Sequence, residues 1–96
     1  MKIPKTLPCA SHVYTIKYAK NLIRDDCARG QILFNNYEII IDDGLEGSIL
    51  DTCFWHELIH VVDRHYNNDK LDEDTTQGLA EGLAQAFNDM GIKFER

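Results

Sequence analysis

The hydrophobic pattern of this chain runs in twos through its first half and in threes and fours through its second. Over residues 12–19, HVYTIKYA, the side chains of Tyr14, Ile16 and Tyr18 fall on one side and β-branched Val13 and Thr15 on the other, which predicts a strand. Residues 20–30 are polar and end in glycine, the mark of a loop or a single helical turn. Two β-prone runs follow, Ile32–Phe34 and Tyr37–Ile41, joined by Asn35 and Asn36, which tolerate positive φ; a tight hairpin is expected. The unbroken Ile39-Ile40-Ile41 predicts a strand covered on both faces by helices, and Asp42-Asp43-Gly44 stops it.

Ser48 can cap a helix, with Asp51 in the place of the usual capping-box glutamate, and apolar residues then recur at Leu50, Phe54, Leu58, Val61 and Val62. A helix over 49–66 is expected, broken by Asn67-Asn68-Asp69. Asp72-Glu73-Asp74 supplies N-cap candidates and first-turn negative charge for a second helix, which runs to about Met90 with Leu79, Leu83, Phe87 and Met90 as its apolar stripe and Gly91 as its stop. Gly78, Gly82 and Ala86 put a small residue at every fourth position, which permits close helix contact. Trp55 and Phe54 read as packing residues.

Composition narrows the class. Ninety-six residues fit a single domain spanning 1–96. With 44% hydrophobic and 27% charged residues and no run long enough to cross a bilayer, the chain reads as globular and not membrane-spanning. Pro4 and Pro8 interrupt the N-terminus before an apolar signal segment can form, so a cytoplasmic location is expected. Cys9, Cys27 and Cys53 are widely spaced and include no C-x-x-C pair, which fits reduced thiols better than a disulfide framework or a cysteine metal cage. A net charge of −6 with scattered basic residues leaves no stripe for phosphates, so no direct nucleic-acid partner is expected.

The chemistry concentrates in CFWHELIHVVDRHYN, residues 53–67. His56-Glu57-Leu58-Ile59-His60 is an H-E-x-x-H pattern in the middle of the first expected helix. Residues four apart share a helical face, so both imidazoles can reach one ion, and Zn2+ is the expected cofactor. Glu57 is turned by about 100° from His56 and can stand beside the metal as general base toward a zinc-activated water. The same two histidines share a stripe with Ile49, Cys53 and Asp63, apart from the apolar core stripe. The plainer alternative is a buried helix that happens to carry hydrogen-bonded histidines.

Catalytic zinc normally takes three protein ligands and a water. His65 resembles the last histidine of the longer metzincin motif, but it follows His60 by five residues where that motif has six, and Asp63 stands at the motif's glycine position. On a continuous helix His65 points about 140° away from His60. Glu73, Asp74 and Glu81 at the start of the second helix are better placed, because residues 67–71 can return the chain to the level of the metal. Glu81 follows His60 by twenty-one residues, close to the separation in thermolysin-like enzymes. Spacing does not choose among the three, and acids at a helix start also serve its dipole. Asp63 could orient a histidine ring or cap the following loop. Tyr37, Tyr66 and His12 are possible donors to an oxyanion.

Residues 37–90, through YEIIID, FWHELIHVVDRHYN and LDEDTTQGLAEGLAQAF, resemble the small phage and prophage zinc metallopeptidase-like proteins related to the ImmA/IrrE metallopeptidases. The resemblance implies that His56 and His60 bind zinc, that Glu57 is the general base and that Glu73 is the third ligand. It also implies a part in phage or mobile-element regulation. The expected architecture is a minimal α+β, zincin-like domain in which an N-terminal sheet of about three strands precedes the H-E-x-x-H helix and a second helix completes the site. The expected reaction is hydrolysis of a peptide bond in a protein or peptide substrate. The competing expectations are a zinc-containing regulatory or protein-binding module without hydrolysis and a metal-free interaction module.

Overall fold

The computed structural model describes residues 1–20, 22 and 30–96. Most of the polar stretch 20–30, and Cys27 with it, lies outside the described residues. The remainder forms an α+β fold: strands β1 (Thr6–Cys9), β2 (His12–Ala19), β3 (Gly30–Leu33) and β4 (Glu38–Asp42), then helices α1 (Gly47–Tyr66) and α2 (Glu73–Asp89). The sheet order is β1-β2-β4-β3, with β2 and β4 parallel and both outer pairs antiparallel. Among the described residues no helix is long and apolar enough to cross a membrane.

Four strands stand where about three were expected. The addition is β1, whose Pro8 lies opposite Val13. Proline donates nothing to a ladder and is tolerated because β1 is an edge strand. The hairpin between β3 and β4 forms in the expected place, but its connection is a short 3-10 turn over Phe34–Asn36, and the left-handed residue is Tyr37 at φ 53° instead of an asparagine.

Alternation sorts the sheet as the pattern requires. Tyr14, Ile16, Ile39 and Ile41 are buried and join Leu50, Cys53, Phe54 and Val61 of α1 in one core. Ile40, on the other face, is only half-buried, and among the described residues helix cover lies on one side of β4 instead of the expected two. The second helix packs on α1, away from the sheet.

Its packing face matches the expected one in part: Leu83 and Phe87 are half-buried, with Phe87 stacked on Trp55 of α1, but the rest of the contact is made by other residues. Thr76, Ala80 and Ala84 are buried, whereas Leu79 and Met90 are 46% and 63% exposed. A Cβ added at Gly78 or Gly82 would meet nothing within 4 Å, so those glycines face solvent and the close helix contact uses the threonine and alanines instead. Small side chains let α2 approach α1, and that proximity suits a site shared between the two helices.

Helix ends follow local chemistry. Asp72 caps α2, its carboxylate accepting a hydrogen bond from the Thr75 N–H at 2.7 Å, and these bonds hold the carboxyl below the usual range. Gly91 at φ 82° follows the end of α2. The first helix starts differently from the expectation: Glu46 is its N-cap residue and no side chain caps it. Asp51 is buried and accepts from the Phe94 N–H at 2.7 Å, fixing the C-terminal segment to the start of α1. Phe94 then packs on Phe54 and Trp55.

Candidate metal centre

One face of α1 and the first turns of α2 meet over an open cleft of about 1120 Å³. Its α1 wall presents His56, Glu57 and His60; its α2 wall presents Glu73, Asp74, Gln77 and Glu81; the end of strand β3 closes a third side. The two histidines lie one helical turn apart, which brings their Nε2 atoms to 3.1 Å. Glu73 reaches both, with Oε1 2.9 Å from His60 Nε2 and Oε2 3.2 Å from His56 Nε2.

These separations have a chemical meaning. A tetrahedral ion bound at roughly 2.0–2.1 Å needs ligand atoms roughly 3.3 Å apart, close to the spacing found here. His56, His60 and Glu73 could therefore hold a divalent cation with little rearrangement, and they are the one His/Cys/Asp/Glu group of this kind among the described residues. Both imidazoles are largely buried while the Glu73 side chain is 74% exposed, and the three groups line the open cleft.

Glu57 is 7% exposed and lies beside this group in the same cleft. Burial, and secondarily the nearby Glu73 carboxylate, push its carboxyl up to about 7. Gly30 makes that burial possible. A Cβ there would come within 2.8 Å of Glu57 Cγ and 3.1 Å of Cys53 Sγ, so only a glycine lets the backbone of β3 close over the glutamate. The Gly30→Ala variant should lose about 1–3 kcal/mol of stability through this overpacking, as measured by chemical denaturation. A loss below about 0.5 kcal/mol would show that the contact is not tight.

Several expected residues stand elsewhere. His65 is outside the group, its Nε2 2.6 Å from the hydroxyl of fully buried Tyr14. His12 stacks on Tyr37 with ring centroids 4.3 Å apart, and the Tyr66 hydroxyl accepts from the Ala10 N–H. None of His12, Tyr37 and Tyr66, the possible oxyanion donors, lines the cleft. Asp74 and Glu81 line it without joining the histidines.

Asp63 resolves to the loop-capping role. Its buried carboxylate accepts from Asn67 Nδ2 at 2.9 Å and from the Lys70 N–H at 3.1 Å, and no histidine contacts it. Gln77 was not anticipated, although a signal existed. Glu73, Gln77 and Glu81 lie four residues apart in turn, forming one polar stripe on α2. No family model, curated protein or solved structure matches this chain.

Proposed function

We propose that the chain is a zinc-dependent peptide hydrolase of minimal zincin-like build. The observation that carries the reading is the convergence of His56, His60 and Glu73 beside a buried glutamate in an open cleft. Two nitrogen donors and one carboxylate are a donor set that suits zinc and leaves a position for water or substrate. The ion, when bound, supplies a Lewis acid that polarises the scissile carbonyl and makes water a nucleophile near neutral pH.

The chain's own residues do the rest. Glu57 accepts the proton of the attacking water and returns it to the departing amine; burial raises its carboxyl, and a cation beside it would favour the ionised form that takes up a proton. Among the described residues β3 pairs only with β4, so its other edge offers backbone groups to an extended peptide. Gln31, Ile32 and Phe34 carry that edge into the cleft. The resemblance to small phage and prophage metallopeptidase-like proteins related to the ImmA/IrrE family joins this reading as its biological setting, the bacterial cytoplasm and the regulation of a mobile element.

A second reading, a zinc-containing binding module without hydrolysis, draws on one observation: neither a tyrosine nor a third histidine lines the cleft to stabilise an oxyanion. Metal analysis comes first. The wild-type chain is expected to retain one zinc per molecule after dialysis, and His60→Ala to lose it while remaining folded. A wild-type chain without stoichiometric zinc would remove both zinc readings.

A further inference from the structure

Beyond the ligands runs a chain of hydrogen bonds that fixes how one of them is presented. His56 Nδ1 lies 2.8 Å from Gln77 Oε1, and Gln77 Nε2 donates to Glu81 Oε1 at 2.9 Å. A carboxylate only accepts, so Glu81 dictates that the Gln77 amide turn its NH2 outward and its oxygen toward the imidazole. An amide oxygen also only accepts. His56 therefore carries a proton on Nδ1; in the neutral ring this leaves the Nε2 lone pair toward His60 and Glu73, where a cation would take the place of a proton between the ring and the Glu73 carboxylate at 3.2 Å.

We propose that Gln77 and Glu81 are positioning residues that hold His56 in the tautomer able to bind a metal through Nε2. The inference rests on the metal-site reading above and extends it to two residues outside the His56, His60 and Glu73 group. Its logic is that of the carboxylate–histidine–zinc relay, with a glutamine inserted between the carboxylate and the ring. The insertion has a geometric reason. Glu73, Gln77 and Glu81 occupy successive turns of one helix face, so the residue level with His56 Nδ1 is Gln77, and the carboxylate lies one turn further on. Because Glu81 is held through Gln77, it supports the ligand without competing for the ion.

Gln77 and Glu81 are exposed on the helix surface, so exchanging them leaves the fold intact and isolates the positioning role. The test uses the full chain with 15N-labelled histidine and two readouts. In metal-free protein, at a pH about two units above the ordinary histidine value, long-range 15N–1H spectra identify the His56 tautomer directly. Wild type should show the Nδ1–H form, which is the minor form of free imidazole in water. Gln77→Met keeps the side-chain length without the acceptor and should return His56 to the Nε2–H form. Zinc affinity, measured by competition with a chromophoric chelator, should fall by about 10–100-fold in Gln77→Met. It should be rescued in Gln77→Glu, which restores an acceptor. Glu81→Gln, free to donate as well as accept, should produce a mixture of tautomers and a smaller loss.

An Nε2–H His56 in wild type, or a Gln77→Met chain with unchanged tautomer and affinity, would overturn the relay. The tautomer is read without metal, so it judges the relay even if wild type fails to bind zinc, whereas that failure would count against the metal-site reading alone.

Discussion

Glu57→Gln should abolish peptide hydrolysis, lowering the rate by about 10²–10⁴-fold, while making the metal-free protein more stable at pH 8. Both effects come from the same burial. The carboxyl has an ordinary value of 4.5 and is raised to about 7 in the folded chain, so the native state holds this proton more tightly than the unfolded state does. Below 4.5 both states are protonated and the glutamate carries no ionisation penalty. As pH rises from there through about 7, the unfolded state gains the advantage of an ionised, hydrated carboxylate, and stability is lost. The full penalty above that range is on the order of 3 kcal/mol. Glutamine keeps the shape and does not ionise. Denaturation of chelator-treated wild type and Glu57→Gln across pH 4–9 should give curves that diverge toward the alkaline side, with the variant higher. Bound zinc should narrow that gap, since a nearby cation favours the charged carboxylate. A variant no more stable than wild type at pH 8 would refute the buried carboxylate, and one that still cleaves would refute the general base. A zinc-loaded wild type that cleaves nothing would favour the binding module.

What could be read from the chain follows the range of the interactions involved. His56, Glu57 and His60 lie within five residues of one helix, where spacing alone decides which side chains share a face. The end of α1 and the start of α2 are equally local, unlike the start of α1, where Ser48 is not the cap. Asn68 and Asp69 take φ of 55°, and Asp72 caps α2, as turn and cap chemistry suggest. Strand β1 was hidden because Pro8 argues against a strand unless its edge position is already known, and that position depends on pairing with β2. The face of α2 is legible only in part, for a different reason. Leu83 and Phe87 of its apolar stripe are half-buried, but among the described residues α2 packs chiefly on α1, and the close approach favours Thr76, Ala80 and Ala84 over Leu79 and Met90. Val62 likewise belonged to the expected core stripe of α1 yet is 44% exposed, because the sheet and α2 do not cover that side. Glu73 was the hardest of the grouped residues to place, since its distance to the histidines is set by a turn and not by a helical period.

That turn depends on Asp63, and Asp63→Ala should lower stability by about 3 kcal/mol and zinc affinity by more than tenfold. The carboxylate is buried and gathers the Asn67 amide and the backbone N–H groups of Lys70 and Leu71. The Asp63 carbonyl meanwhile accepts from the N–H groups of Asn67 and Asp69. These bonds hold two non-glycine residues in the left-handed region, which costs each about 1–2 kcal/mol, so the turn persists only while they are made. Alanine leaves the donors on Asn67, Lys70 and Leu71 without the acceptor that gathers them, and the chain between α1 and α2 relaxes. Its next residues are Asp72, the cap, and Glu73, so the relaxation moves the carboxylate away from His56 and His60, whose own helix is unchanged. Asp63→Asn keeps one accepting oxygen and should recover part of both losses. Chemical denaturation and zinc competition, performed under conditions where each variant is folded, separate the two effects. If Asp63→Ala were destabilised but bound zinc as wild type does, the turn would support the fold without setting Glu73. If its stability were also within about 0.5 kcal/mol of wild type, Asp63 would not be the anchor of the turn at all.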